Sequence, residues 1–314
     1  MEKSTNTTIN RKKSIVGSKE HTSNKQSTHA KPAVKPIRIN KLPYPRLLSR
    51  AVVGISLFVI IYFMYQKQGT KTITFARQSD VLSGKTKALP CASDYIGELD
   101  KYDGCMPKDC RRFISDTVVS QTEAANMLNI FTKFLQYGGS PNGASILDLH
   151  SGALSKGEKF INIHETSATK NLLTAEDLNQ FRVIKEKIKY TISNFFGVSP
   201  DKIYLTSPTF FSKLEFKEPA NIHDEYWHPH VDKETYPSYH YTSLLYLSDY
   251  KKDFGGGRFM FVDNKLSAVE PKKGRLSIFT SGSENTHFVE RVTNGTRFAM
   301  TISFTCDKKH SVNM

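Results

Sequence analysis

Residues 1–46 are almost without aromatic side chains, Tyr44 being the single one, and hold only two acids, Glu2 and Glu20. A stretch so poor in apolar surface cannot offset the entropy of ordering its chain. That excludes a packed domain there and predicts a disordered basic tail over residues 1–46. The chain as a whole has just four cysteines and one tryptophan, and no internal repeat is apparent. Its formal net charge is +14 over 314 residues, but the excess is uneven. Residues 1–50 carry twelve Lys or Arg against those two acids and contribute +10 alone. A nucleic-acid binder carries its positive patch on the folded module, so this distribution argues against nucleic acid and for a topological role.

The run "AVVGISLFVIIYFMY", Ala51–Tyr65, has no charged residue. Fifteen residues fall short of the ~20 that cross a bilayer, but Leu47 and Leu48 extend the run, and Arg50 and Lys67 can snorkel. The segment 47–67 is therefore expected to be a transmembrane signal anchor, with a buried core helix as the bland alternative. A cleaved signal peptide fits poorly, because the run begins some fifty residues in and no small-residue cleavage site follows it. The positive-inside rule then keeps the N-terminus cytoplasmic and sends the remainder to the lumen of the endoplasmic reticulum or Golgi, a single-pass type II arrangement. All four cysteines, Cys91, Cys105, Cys110 and Cys306, fall on that side. Their even number suits disulfides, three pairings are open, and reduced thiols are an equal alternative. Residues 68–119 read as an irregular membrane-proximal segment.

Regular patterning begins at Ser120, which has capping-box spacing to Glu123; Ala124, Met127, Leu128, Phe131, Phe134 and Leu135 then recur at helical period up to Gly138. A second helix is predicted from Thr174 to a stop at Gly197, packed against a sheet. Beyond residue 200 come short runs such as "YHYTSLLYL", "RFMFV", "RLSIF", "HFVERV" and "RFAMTISFT", the pattern of a sandwich or jelly roll. Asn294-Gly295 between the last two is a two-residue hairpin signal, which would place His287 and Arg297 on paired antiparallel strands. Asn294-Gly295-Thr296 is also an N-glycosylation acceptor. Gly255-Gly256-Gly257 lacks the Lys-Ser/Thr ending of a phosphate loop and reads as a tight turn.

"YWHPHVD" puts His228, His230 and Asp232 at alternate positions, on one side of an extended strand. His230 and Asp232 supply two ligands, and His287 is the best candidate for a third. Two imidazoles and one carboxylate on one face of an ion leave open positions, as in non-haem Fe(II) enzymes; the same set could hold Zn with a water. Arg297 offers a fixed fork that would pair with the far end of a dicarboxylate chelating the metal. His228 reads as a residue beside the ligands or an exposed packing residue, and His223 and Asp224 receive no role.

The ordered set "HPHVDKE", "YTSLLYLSDYKKDFGGGRFMF", "VEPKKGRLSIF" and "HFVERVTNGTRFAMTISFT" resembles the prolyl 4-hydroxylase type of Fe(II)- and 2-oxoglutarate-dependent dioxygenase over roughly residues 120–306. The resemblance implies an α+β fold with a double-stranded β-helix (jelly-roll) core and supporting helices in a domain over residues 120–314. It implies His230, Asp232 and His287 as iron ligands and Arg297 on the far carboxylate of 2-oxoglutarate, where collagen-type members use Lys. Tyr246 matches a position at which some relatives place a second hydroxyl on that carboxylate, although a packed core tyrosine is as good a reading. Fe(II), 2-oxoglutarate and O2 follow as cofactors, with ascorbate as a further candidate. The expected activity is hydroxylation of a Pro or Lys type side chain in a secretory-pathway protein, with release of succinate and CO2. The rival reading is an inactive membrane-anchored binding module on the same fold; hydrolysis at Zn would leave Arg297 unexplained.

Overall fold

The structure is a computed structural model that describes residues 44–67, 72–140, 144–218 and 226–313. The tail up to residue 43, and His223 and Asp224, lie outside the described residues. The chain divides into two units, residues 1–65 and 66–314. The apolar run forms α1, Tyr44–Lys67, whose 24 residues extend about 36 Å at helical rise. Its described side chains, residues 48–64, include exposed Ile55, Phe58 and Met64. Among the described residues no helix is long and apolar enough to cross a membrane.

The second unit is built on two sheets. The larger runs β2 (Lys85–Leu89), β3 (Cys110–Ser115), β12 (Leu276–Thr280), β8 (Tyr241–Tyr246), β14 (Val292–Thr305), β7 (Tyr204–Glu215), β4 (Ala144–Asp148), β5 (Ala153–Lys156) and β6 (Lys159–Asn162), with β9 (Phe254–Gly256) also paired to β14. The smaller runs β1 (Ile73–Ala76), β11 (Ser267–Val269), β10 (Phe259–Phe261) and β13 (His287–Val289).

The period of two along the strands divides the interior into two compartments. In β8, Tyr241 and Leu245 join an apolar cluster with the helices, while Leu244 and Tyr246 join one with Phe259 and Phe261 of the smaller sheet. In β14, Met300, Ile302 and Phe304 face the helices and Ala299 faces the smaller sheet. The helices are α3 (Gln121–Leu135) and α4 (Ala175–Phe196), each opened by a full capping box, Ser120 with Glu123 and Thr174 with Asp177. Gly197 closes α4 in the left-handed region at φ 68°, where a Cβ would be strained. Met127, Ile130 and Phe134 of α3 and Phe181, Ile188 and Ile192 of α4 cover the outer face of the larger sheet, which leaves the space between the sheets for a site.

Two expectations are corrected. The segment before residue 120 is not irregular: β1 pairs in parallel with β11, and β2 and β3 continue the larger sheet through β12. It is tied down by Cys91–Cys110 and Cys105–Cys306, which uses all four cysteines. Nor does Asn294-Gly295 turn a hairpin. β14 runs on through it, Gly295 taking φ 68° where the strand pairs with β9. Both edges of β14 near Arg297 are occupied, Arg297 lying opposite Leu214 of β7 and Ala299 opposite Tyr246 of β8. His287 therefore pairs with Phe261 of β10 in the smaller sheet, and the two residues are brought together by packing of the sheets.

Candidate metal centre

His230 and His287 are held to each other by a single antiparallel bridge in which each backbone N–H donates to the other's carbonyl, at 2.9 and 3.0 Å. The bridge sets the two imidazoles 4.5 Å apart. No strand runs through this segment, contrary to the one-face expectation for His228, His230 and Asp232: His230 is an isolated bridge that follows turn residues, Asp232 starts the four-residue α5 (Asp232–Thr235), and the alternate placement of His230 and Asp232 comes from an extended Val231 between them. His287 Nε2 and His230 Nε2 each lie 3.7 Å from Asp232 Oδ1, and the three ligand atoms fall within 4.8 Å of one another. His228, exposed in the strand-face reading, also borders the cavity beside these groups.

Hydrogen bonds decide which atoms face inward. His230 Nδ1 is 3.0 Å from the His228 carbonyl and His287 Nδ1 is 2.8 Å from the Asn285 carbonyl. A ring N–H directed at a carbonyl fixes the tautomer and leaves Nε2 as the free donor to a metal. Thr242 Oγ1 donates to Asp232 Oδ2 at 2.6 Å and is itself 2.9 Å from Ser281 Oγ, so Oδ1 alone remains for an ion. Phe259 stacks on the His287 ring at 4.7 Å. Burial pushes the His287 pKa down, with Asp232 opposing the shift. A neutral imidazole is the ligating form.

The three ligands share a cavity of about 540 Å³ with Arg297 and with apolar side chains that include Phe210, Leu214, Leu244 and Val289. Arg297 is 1 % exposed. Its Nε donates to the Gly257 carbonyl at 2.9 Å, and its Nη2 is buried without a hydrogen-bond partner. Burial lowers its pKa, opposed by Tyr246 and Tyr226, but a guanidinium stays charged. A buried, unpartnered cationic N–H costs about 1–3 kcal/mol or more, a cost that an anionic oxygen in the cavity would relieve. Tyr246 is wholly buried, with its ring 5.7 Å from the guanidinium and its hydroxyl 3.4 Å from Ser277 Oγ. Burial pushes its pKa up to about 12, which keeps the hydroxyl a neutral donor.

Sequence reasoning missed Thr242, Ser281 and Asn285, the partners that orient the ligands. Thr242 and Ser281 act through tertiary contact, which no sequence spacing announces, while Asn285 reaches His287 two residues on through its backbone carbonyl, which any residue at that place would offer. It also treated Gly255-Gly256-Gly257 as architecture alone. Gly257 sits at φ 61°, and a Cβ there would come 3.1 Å from Arg297 Cδ; the glycine is what lets the chain lie against the guanidinium. Gly255 and Gly256 do not form the tight turn expected of them but lie in β9, paired with β14.

Two histidines and one aspartate converging from a bridge and a helix start, inside a jelly roll with a buried arginine, define a mononuclear non-haem metal oxygenase. The 2OG-Fe(II) oxygenase superfamily is matched over residues 219–305. The chain is 50% identical over 240 residues to 2-oxoglutarate and iron-dependent oxygenase domain-containing protein 3 of Mus musculus, covering 76% of each, and 46% identical over 273 residues to that of Xenopus tropicalis, covering 85% of this chain and 86% of the other. It is 25% identical to prolyl 3-hydroxylase 1 of Rattus norvegicus over 225 residues, 64% of this chain and 29% of that one. The chain thus belongs to the 2OG-Fe(II) oxygenases, with His230, Asp232 and His287 as its facial triad.

Proposed function

We propose that this oxygenase hydroxylates a Pro or Lys type side chain of a secretory-pathway protein, using 2-oxoglutarate anchored by Arg297, from the lumenal side of a membrane that the apolar run 47–67, of which the described side chains 48–64 are only a part, would anchor it to. The observation that carries the reading is the unpartnered Arg297 Nη2, buried in the cavity that holds the triad. The donor set fits both absent groups: two Nε2 atoms and Oδ1 for Fe(II), and a fixed guanidinium for the far carboxylate. Bound together, Fe(II), 2-oxoglutarate and O2 supply oxidative decarboxylation to succinate and CO2 with insertion of one oxygen atom into a substrate C–H bond; ascorbate is a candidate reductant. The chain's part is to fix the ligand tautomers through His228 and Asn285, hold Asp232 monodentate through Thr242, and exclude water with the apolar wall of Phe210, Leu214 and Leu244. Tyr246 is the second donor of the anchor, its neutral hydroxyl buried beside Arg297.

A protein substrate is supported by the prolyl hydroxylase named among the relatives. The lumenal placement is supported by the two disulfides, which persist in oxidising compartments, and by the basic tail before the apolar α1. Asn294 is exposed on β14 and is proposed as the glycosylation site.

The test is anaerobic titration of the full chain in detergent with Fe(II) and 2-oxoglutarate, following the visible metal-to-ligand charge-transfer band. The band is expected in the parent and absent in Asp232→Ala. Arg297→Ala should need ~100-fold more cosubstrate, the loss of about 3 kcal/mol for a charge-assisted contact. A folded parent without the band overturns the reading. A band without substrate-stimulated succinate release would leave a binding module.

A further inference from the structure

Nothing in the reaction uses the chain between Cys91 and Ser115, yet two of its charged side chains end beside the metal ligands. Arg112 on β3 is fully buried. Its Nη1 and Nη2 grip the Asp263 carboxylate at 2.9 Å each, its plane lies 3.7 Å over the Phe261 ring, and its Nε donates to Asn285 Oδ1 at 2.7 Å. Asn285 is the residue whose carbonyl receives the His287 Nδ1 hydrogen. The second side chain is Glu98, just past α2 (Ser93–Ile96). It makes a 2.8 Å ion pair with Lys233, whose own N–H donates to the Ser281 carbonyl at 3.0 Å. Lys233 adjoins Asp232, and Ser281 Oγ contacts the threonine that holds Asp232. Both charged residues hang on a segment pinned at three of its cysteines, Cys91, Cys105 and Cys110.

We infer that residues 91–112 form a disulfide-pinned brace for the iron site, in which Arg112 positions His287 through Asn285 and Glu98 positions Asp232 through Lys233. The inference rests on the metal-site reading above. The short elements that carry the ligands explain why a brace is needed: His287 opens a three-residue strand and Asp232 a four-residue helix. Neither is long enough to fix a side chain by backbone hydrogen bonds alone. A salt-bridged arginine with every nitrogen engaged is a rigid strut that lysine cannot reproduce, since an ammonium offers no planar fork. Partners one shell out from a metal typically change its affinity 10- to 100-fold.

The test uses the full chain in detergent and Co(II), whose visible absorption reports ligand geometry. Arg112→Gln and Glu98→Gln are each expected to weaken Co(II) binding at least ~10-fold and to alter the absorption bands, with Arg112→Lys intermediate. Asp177→Asn serves as the control: it breaks the Lys133 ion pair between α3 and α4, away from the brace, and should lower thermal stability while leaving Co(II) affinity within about twofold. Parent-like affinity in the Arg112 and Glu98 variants, or losses that merely track thermal stability as in Asp177→Asn, overturn the brace. Should Arg112→Gln fail to fold, Glu98→Gln and Arg112→Lys decide by the same criterion. If the parent itself binds no Co(II) and His287→Ala is indistinguishable from it, the metal-site reading fails and takes the brace with it; if the parent binds and the variants bind equally, only the brace fails.

Discussion

Thr242→Val isolates one hydrogen bond at the centre of the site. The valine keeps the volume of a side chain that is 3 % exposed and removes only the hydroxyl that donates to Asp232 Oδ2 at 2.6 Å. A hydrogen bond to a charged group contributes about 1.5–3 kcal/mol. Without it Oδ2 of the half-buried carboxylate has no donor from the chain, and the carboxylate is free to rotate away from the position that presents Oδ1 to both imidazoles. The same interval expressed as an equilibrium constant is roughly 10- to 150-fold, which matches the 10- to 100-fold typical of outer partners of metal ligands. Ser281 Oγ, 2.9 Å from the lost hydroxyl, cannot replace it without leaving its own position. The assay is an anaerobic Fe(II) titration at saturating 2-oxoglutarate, read from the charge-transfer band, with Thr242→Ser as the rescue. Binding in Thr242→Val within about twofold of the parent, at an unchanged fold, would refute the idea that this hydroxyl holds the aspartate.

Four further outcomes follow from the structure. Gly257→Ala forces a Cβ into the left-handed region at φ 61° and to 3.1 Å from Arg297 Cδ; a cost of about 1–2 kcal/mol should appear as a ~10-fold rise in the 2-oxoglutarate concentration for half-maximal band intensity. Removing Cys105–Cys306 should lower the melting temperature more than removing Cys91–Cys110, because the closed loops span 201 and 19 residues and chain-entropy loss scales to about 5 and about 3 kcal/mol respectively. The Asp116 carboxyl is raised by burial but brought below its usual value on balance by hydrogen bonds from Arg275 and the Leu82 N–H; its contribution to stability is therefore complete above about pH 4 and lost as pH falls through the lower folded value, so the urea-midpoint gap between parent and Asp116→Asn should close on acidification. Asn294→Gln should abolish any endoglycosidase-sensitive mass shift in secretory expression, and an unchanged shift would place the glycan elsewhere.

Local chemistry was the legible part of the fold. Ser120 with Glu123 is a reciprocal pair of side-chain and backbone bonds within four residues, which the capping-box spacing specifies; at Thr174 the helix start is legible and Asp177 completes the box in the structure, and the alternating faces of β8 and β14 follow from the period of two. The triad was legible because ligand identity and alternate spacing survive even though no strand forms around His230. What could not be read is pairing decided by competition. Asn294-Gly295 has the chemistry of a hairpin, but here β14 is paired with β9 and continues at once into its ladder with β7 from Thr296, and a positive φ at Gly295 serves a strand paired with β9 just as well as a turn. The strands before residue 120 were missed for a similar reason: "ITFA" and "KTKAL" are too short to announce themselves, and β1 gains its place only from parallel pairing with β11, nearly two hundred residues away.

The site's construction separates two tasks that a longer strand would combine. Arg297 lies within the fourteen-residue β14, opposite Leu214 of β7 and two residues before the β8 ladder begins at Ala299, and the Gly257 carbonyl aims its Nε. The metal ligands instead stand at the ends of short elements and depend on groups outside them: the Thr242 hydroxyl from β8, the Asn285 carbonyl from the 3-10 turn before β13, and Arg112 holding the Asn285 side chain. If Arg297 anchors 2-oxoglutarate as proposed, that rigidity suits a dicarboxylate of fixed length. A metal whose open positions must admit several partners in turn gains from ligands whose orientation is set by hydrogen bonds, which adjust by tenths of an ångström where backbone register moves in whole residues.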